Sequence, residues 1–198
     1  LVTGRWDATN AIDAEIELLS TAPRDLIHRS RVRVHQGTAE VLARVATSSP
    51  VTAGARSVVR LVLERPIVVC GGDRFVLRSY SPVQTIGGGW VVDPLPPRRS
   101  KADPGLAVDD RLGLLVARRD DGVEVDQLPQ LTGLGSLPDD RALANADLVR
   151  IGARVVPRSL LAQIRTELLR AVADHHAAFP ADAGISVETL RQRLGRRD

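Results

Sequence analysis

The residue types that could carry out catalysis are present in this sequence, but they do not stand at the spacings that catalysis needs. Asp109-Asp110 and Asp139-Asp140 are adjacent carboxylates, and adjacent side chains point in different directions, so neither pair predicts a general acid facing a general base. Both pairs fall at predicted helix starts, where the helix dipole favours carboxylates. No Gly-x-Ser-x-Gly nucleophile elbow occurs in the sequence. The sequence therefore predicts no catalytic residue and no enzyme.

Metal ligands and phosphate loops are lacking in the same way. His175-His176 follows Asp174 on a predicted helix with no further ligand at the spacing of a zinc site, and Cys70 is the single cysteine. A phosphate-binding P-loop needs a Gly-Lys pair, whereas the single lysine, Lys101, follows Ser100. We therefore expect no metal site and no nucleotide cofactor in this chain.

Residues that suit contacts with an RNA backbone are the remaining candidates. The segment His35-Gln36-Gly37-Thr38 lies at a predicted strand end between Arg33 and Arg44. It offers hydrogen-bonding and cationic groups to phosphates and 2′-hydroxyls. A solvated polar hairpin is the alternative interpretation, and the pattern alone favours it because charged strand faces are usually just solvated.

The glycine run Gly87-Gly88-Gly89 invites a nucleotide-loop interpretation but lacks the G-x-G-x-x-G spacing. It precedes the predicted strand Trp90-Val91-Val92 and not a helix, so a bend at the strand entry is the favoured structure. Glycine at such a bend allows close backbone approach, and this backbone could also contact RNA.

The composition is that of a globular chain with an aliphatic core. Of 198 residues, 43% are apolar and 3% are aromatic, so Val, Leu, Ile and Ala must fill the interior. No apolar run approaches the ~18 residues of a membrane helix, and the start does not resemble a signal peptide. We expect a cytoplasmic protein without membrane contact. The chain begins at Leu1 and has no methionine, which predicts a piece excised from a longer protein.

Charge is nearly balanced along the chain. The 27 Lys and Arg residues face 24 Asp and Glu residues, which gives a net charge of +3. Interactions between exposed charges fade over ~10 Å at ordinary ionic strength. An anionic partner must therefore be met by local clusters of arginine.

Hydrophobic periodicity divides the chain at a proline-rich stretch. Four prolines between Asp93 and Gly105 interrupt helices and strand pairing, so residues 94–105 are predicted as an interdomain linker. Before this linker the period is two, and six or seven short strands predict a small antiparallel barrel or sandwich over residues 1–93. Residues 67–70 are predicted as one of these strands.

After the linker the hydrophobic period changes to 3.6. A helix capped by Asp103, a short helix ended by Gly133 and a helix over residues 139–145 precede a predicted hairpin with its turn at Gly152-Ala153. Three helices followed by a hairpin are the order of a winged helix, which we assign to residues 106–157.

Two further helices are predicted beyond the hairpin. The helix over residues 159–178 carries an apolar stripe that we expect to be buried, with one of the two adjacent histidines along it. Ser186 caps the last helix, and Gly195 follows its end. Residues 158–198 are thus predicted as the truncated start of a second winged helix.

Several segments together resemble the third domain of the bacterial selenocysteine-specific elongation factors. The most specific segment runs from Gly72 to Pro94 and contains the Gly72-Asp-Arg-Phe turn and Thr85-Ile-Gly-Gly-Gly89. Residues 33–41, 61–66 and 81–89 extend the resemblance. Residues 146–152 and 174–180 are similar to the first winged helix and the start of the second in the C-terminal extension of that family. The resemblance implies a mixed, mainly β N-terminal domain, an antiparallel β-barrel like domain 3 of elongation factor Tu, followed by α+β winged-helix modules.

The resemblance also implies a function. In this family the barrel helps to grip the acceptor and T arms of selenocysteinyl-tRNA, which the factor delivers to the ribosome at recoded UGA codons. An upstream domain absent from this chain binds GTP and Mg²⁺, and winged helices beyond Asp198 bind the mRNA hairpin. The winged helices present here would mainly connect these parts, because the predicted third helix carries two acids and one arginine and suits a phosphate-lined groove poorly.

The predicted tRNA-binding residues fall into three groups. The resemblance assigns the first four to the turn that approaches the T stem, and the next three to a Gly-rich turn beside it. The four arginines are added because a phosphate partner needs charge near those turns. The predicted residues are His35, Gln36, Gly37 and Thr38; Thr85, Gly87 and Gly88; and Arg31, Arg33, Arg44 and Arg78.

Two alternative functions remain open from the sequence. Another translational GTPase related to elongation factor Tu would explain the barrel but not the appended helical modules. A winged-helix transcription regulator with a ligand-sensing barrel would explain both parts, although the acidic third helix argues against DNA reading.

Overall fold

Alternation of apolar and polar residues produces six strands that close into an antiparallel barrel. The computed structural model describes residues 5–107 and 111–194. The strands follow one another around the barrel in the order β1-β4-β3-β2-β5-β6, and β6 pairs with β1 to close it. The predicted barrel is therefore confirmed. Its strands are β1 (Thr9–Leu18), β2 (Arg31–Gln36), β3 (Ala39–Ala46), β4 (Arg56–Ile67), β5 (Arg74–Ser79) and β6 (Thr85–Asp93).

The barrel interior is aliphatic, as the composition predicts. On β1, Ile12, Ile16 and Leu18 are buried, and Glu15 and Glu17 alternate with them on the outer face. Each fully buried side chain of this kind contributes about 1.5–3 kcal/mol to stability. The predicted separate strand over residues 67–70 is wrong, because β4 itself extends to Ile67 and the chain then leaves the sheet to turn into β5.

The glycine run lies inside β6 and pairs with strands on both sides, so the predicted strand-entry bend is wrong. A Cβ atom on Gly89 would lie 2.0 Å from the carbonyl oxygen of Glu15, and one on Gly87 would lie 2.3 Å from that of Glu17. The glycines are needed because the backbones of β1 and β6 approach closely where the barrel closes.

Beyond the barrel, short helices surround a three-stranded sheet with the order β7-β9-β8. A 3₁₀ turn over Val125–Gln127 leads into the second helix. The sequence of elements is that of a winged helix, as predicted. The elements are α1 (Leu112–Ala117), β7 (Val123–Glu124), α2 (Leu128–Thr132), α3 (Asp140–Asn145), β8 (Leu148–Ile151) and β9 (Arg154–Pro157).

The helix ends follow the predicted capping residues. The Asp139 side chain accepts a hydrogen bond from the Ala142 amide at 2.7 Å, and Gly133 ends α2 with φ of 75°. The helix predicted to begin after Asp103 starts as a 3₁₀ turn over Pro104–Leu106, and its later part forms α1. Asp109-Asp110, the other predicted helix-start pair, lies outside the described residues.

Two helices follow the winged helix, α4 (Arg158–Ala178) and α5 (Val187–Leu194), and they contact each other. The predicted burial of the α4 stripe is wrong, because no residue of α4 is buried and Phe179 is 52% exposed. The side chain of His175 is only 11% exposed because it packs against Phe179 and lies 3.4 Å from Asp182, and not because the stripe is buried. Gly195 lies outside the described residues.

A buried ionic network joins the barrel to the winged helix. Asp13 on β1 and Asp93 on β6 are fully buried. Arg118, just after α1, donates to Asp13 at 2.8 Å and to Asp93 at 3.1 Å. Arg60 on β4 also donates to Asp13, and Arg119 donates to Asp93 at 2.9 Å. Three guanidinium groups thus neutralise two carboxylates between the two parts of the chain.

The proline-rich segment is packed into this junction. Arg60 donates to the carbonyl oxygens of Pro97 and Ser100, and Arg118 donates to that of Lys101. Val92 of β6 belongs to the apolar core of the winged helix. The segment predicted as a linker therefore fixes the two parts against each other through its backbone carbonyls.

Candidate nucleic-acid interface

Strand β2 presents a row of basic side chains because its apolar and basic residues alternate. Val32 and Val34 are buried in the barrel, so Arg31, Arg33 and His35 lie on the outer face. At ~3.4 Å per residue, this row extends about 14 Å along the strand.

The neighbouring strands add two arginines to this row. Arg44 of β3 lies opposite Arg31, and Arg78 of β5 lies opposite Arg33. The antiparallel register therefore brings five predicted residues onto one outer face. We call this surface the basic strip; it consists of Arg31, Arg33, His35, Arg44 and Arg78.

Arg31 is held at one end of the basic strip by two neighbours. Its guanidinium group donates two hydrogen bonds of 3.0 Å to the Glu64 carboxylate, and these raise the pKa of Arg31. The guanidinium carbon also lies 4.4 Å from the centroid of the Tyr80 ring. Arg31 is therefore oriented before any ligand arrives.

Glu40 is the carboxylate at the other end of the strip. It accepts a hydrogen bond from Arg33 Nη1, and its second oxygen lies 3.9 Å from His35 Nε2. The hydrogen bond from Arg33, together with the charges of Arg33, His35 and Arg78, lowers the pKa of Glu40. Arg65 of β4 also donates to the Glu40 backbone carbonyl at 2.7 Å.

The basic strip holds more donors than its carboxylates satisfy. Within residues 5–107 and 111–194, neither Arg44 nor Arg78 forms an ion pair. The Nε atoms of Arg33 and Arg78 and the Nε2 atom of His35 are buried without a hydrogen-bond partner. Such unmatched donors suit an anionic ligand with several acceptor oxygens.

The turn after β2 keeps two exposed residues and one anchored residue. Gly37 and Thr38 are exposed between β2 and β3. Gln36 donates from Nε2 to Asp73 at 3.0 Å, and Asp73 also accepts from the Cys70 amide at 2.9 Å. The Gln36 side chain therefore fastens this turn to the turn before β5.

The three residues predicted as a Gly-rich turn lie within β6, so that predicted conformation is wrong. Thr85 lies opposite Arg78 on the neighbouring strand and is therefore next to the basic strip. Gly88 lines a groove of about 980 Å³ together with His35 and Gly37. Gly87 is buried between β1 and β5, and it offers no surface to a ligand.

Sequence reasoning missed Tyr80 and the two carboxylates of the strip. Tyr80 is the single tyrosine and stands two residues after Arg78, so alternation alone could have placed it beside the arginines. A two-residue turn at Gly37-Thr38 also puts Glu40 opposite His35. No local signal connects Glu64 with Arg31, because they lie 33 residues apart.

Two further features are absent from the described part of the chain. It contains no group of three or more His, Cys, Asp or Glu residues that could hold a metal ion. Nor does it contain a helix of the length and apolar character needed to cross a membrane.

The fold defines the class of protein: a closed, six-stranded antiparallel β-barrel followed by a mixed α/β module. Residues 13–98 match the family model described as the β-barrel domain of selenocysteine-specific elongation factor. The barrel is similar to this domain family, and the chain as a whole is similar to a segment of selenocysteine-specific elongation factors.

Two known proteins extend the similarity beyond the barrel. The selenocysteine-specific elongation factor of Desulfomicrobium baculatum is 29% identical over 203 residues, which cover 93% of this chain. The crystal structure of the bacterial selenocysteine-specific elongation factor EF-Sec has the same fold over 96% of the chain, with a TM-score of 0.63 and 14% identity. This chain spans 32% of the first protein and 30% of the second.

Proposed function

We propose that this chain is the part of a selenocysteine-specific elongation factor that binds selenocysteinyl-tRNA through its barrel. The basic strip would contact phosphates of the acceptor and T arms, and the exposed turn at Gly37-Thr38 would contact the same RNA beside it. The factor would deliver this tRNA to the ribosome in the cytoplasm at recoded UGA codons. No step of chemistry is assigned to the residues of this chain.

The basic strip is the observation that carries this proposal. Four of its five side chains are arginines, whose planar guanidinium groups bind phosphate through two parallel hydrogen bonds. Tyr80, which is 41% exposed, offers a ring beside Arg31 on which an unstacked base can lie. Thr85 adds a hydroxyl group next to Arg78.

The remaining parts of the proposed factor act outside this chain. GTP and Mg²⁺ would bind an upstream domain, and the mRNA hairpin would bind further winged helices. The winged helix described here would act as a connecting arm, since Asp139, Asp140 and Arg141 are exposed on α3 and give its outer face no net positive charge.

A titration at fixed salt tests the choice of partner. The chain is titrated with selenocysteine tRNA, a bulk elongator tRNA and duplex DNA, and the tightest binding is expected for selenocysteine tRNA. Equal weak binding to all three nucleic acids would contradict the proposal.

A charge-matched pair of variants tests the surface. Replacing Arg33, Arg44 and Arg78 by Gln is expected to weaken tRNA binding at least tenfold and to reduce the salt slope by about 1 for each phosphate that the variant no longer neutralises. The control replaces Arg158, Arg165 and Arg170, which are exposed on α4, and should bind nearly as well as the unaltered chain. Equally weakened binding in both variants would show that only net charge matters.

A further inference from the structure

We infer that Glu40 occupies a phosphate site of the basic strip in the free protein, and that an RNA phosphate must displace its carboxylate in order to bind. The inference rests on the proposed tRNA-binding function. It adds that the Glu40 carboxylate competes with RNA phosphates for the cations of the basic strip.

The first support is the convergence of cationic groups on one carboxylate. Arg33 donates directly to Glu40, His35 Nε2 lies 3.9 Å from its second oxygen, and the charge of Arg78 also acts on it. A carboxylate and a phosphodiester present the same feature to a guanidinium group, two anionic oxygens that accept hydrogen bonds in one plane. The Glu40 carboxylate thus marks where a phosphate oxygen pair fits.

The second support is the set of donors that Glu40 leaves unsatisfied. Arg33 Nε, Arg78 Nε and His35 Nε2 are buried and have no hydrogen-bond partner among the described residues, and the charges of these same three residues act on Glu40. A single carboxylate supplies two oxygens, whereas adjacent phosphates of an RNA strand supply more acceptors and more charge. Replacing Glu40 by RNA phosphates therefore improves the hydrogen bonding of this cluster.

The third support is that Glu40 is free to leave. Its side chain is 47% exposed, and exposed ion pairs contribute little net stability because water competes for both partners. Its backbone stays fixed in β3, where the carbonyl oxygen accepts from Arg65 at 2.7 Å. The side chain can therefore rotate into solvent without disturbing the strand.

The expected consequence is that an anionic ligand binds well only if it makes several contacts with the basic strip. Binding of RNA at this site includes the cost of separating Glu40 from Arg33, so a ligand that reaches only this one site gains little. A ligand that also contacts Arg31, Arg44 and Tyr80 gains enough to displace the carboxylate. Glu40 would thereby disfavour isolated phosphates and short contacts relative to a tRNA that covers the whole basic strip.

The test compares Glu40→Gln with Glu124→Gln in the full chain. Both substitutions remove one negative charge. Glu124 lies on β7 of the winged helix, is 42% exposed, and pairs with Arg5 at 3.0 Å. Glu40→Gln is expected to bind selenocysteine tRNA about 3- to 10-fold more tightly, with a salt slope steeper by about 1, whereas Glu124→Gln should change little. Equal gains in the two variants would overturn the inference, since they would reflect net charge alone.

A second comparison separates this inference from the proposed function. In the Arg33→Gln, Arg78→Gln background most of the gain from Glu40→Gln should disappear, because the two guanidinium groups that Glu40 would release are no longer there. Persistence of the gain in that background would overturn the inference while leaving tRNA binding intact. If the unaltered chain binds none of the nucleic acids at low salt, the proposed function fails, and the displacement of Glu40 fails with it.

Discussion

Single buried charges decide how the barrel is attached to the module beside it. Asp13 and Asp93 have no exposed surface, and each is neutralised by two arginines. A buried ion pair is weak evidence for net stability, because desolvation of the charges opposes their attraction. Removal of one partner is different, since it leaves a charge buried without compensation.

Arg118→Ala tests this distinction at the residue scale. Within residues 5–107 and 111–194, Arg118 is the one side chain that bonds both carboxylates, so its removal is expected to lower the free energy of unfolding by about 3–5 kcal/mol. Urea denaturation measures the change. The control is Arg56→Ala, which breaks an exposed pair with Glu17 and should cost less than about 1 kcal/mol. Similar costs in both variants would mean that water reaches the junction.

At the scale of elements, the closing seam between β1 and β6 depends on the absence of side chains. Cβ atoms on Gly89 and Gly87 would lie 2.0 Å from the Glu15 oxygen and 2.3 Å from the Glu17 oxygen, both on β1, whereas one on Gly88 would face β5 at 2.8 Å from the Phe75 oxygen. The neighbouring atoms belong to the backbone and cannot rotate away. The strands would have to separate to accept any larger residue.

Gly89→Ala is therefore expected to destabilise the barrel more than Gly88→Ala. We expect the free energy of unfolding to fall by about 2–3 kcal/mol for Gly89→Ala and by less for Gly88→Ala, since overpacking of this kind costs ~1–3 kcal/mol. Thermal unfolding of the two variants measures the order. Equal melting temperatures would show that the seam can relax, and the close approach would then not explain the glycines.

Local patterns predicted the elements well and their tertiary contacts poorly. The hairpin around Gly37-Thr38 and the cap at Asp139 depend on residues a few positions apart, which a sequence displays directly. The strand conformation of the glycine run depends on the approach of β1, about 70 residues earlier in the chain. Arginines of the basic strip could be chosen by alternation and charge, whereas the partners that restrain them come from β4 and from the turn after β5.

At the scale of the whole molecule, the barrel and the winged helix behave as one packed unit. Asp13 and Arg118 are separated by 105 residues, and no periodic pattern could have connected them. The proline-rich segment has the composition of a spacer, since prolines lack the backbone donors that helices and strands need. Its carbonyl oxygens nevertheless accept hydrogen bonds from the arginines of the junction. The winged helix thus holds one orientation relative to the basic strip.

A glycine at the junction allows this orientation to be tested without replacing a charged residue. A Cβ atom on Gly71 would lie 2.1 Å from the carbonyl oxygen of Leu131, so Gly71→Ala must push the module away from the barrel. Hydrogen exchange of peptides from α1 and β2 is the measurement, with α1 expected to lose protection by about tenfold or more while β2 keeps it. Gly135→Ala, whose added Cβ meets nothing within 4 Å, serves as the control and should leave both peptides unchanged. Parallel loss of protection in α1 and β2 would instead indicate that the barrel and the winged helix unfold together, with no separable step at the junction.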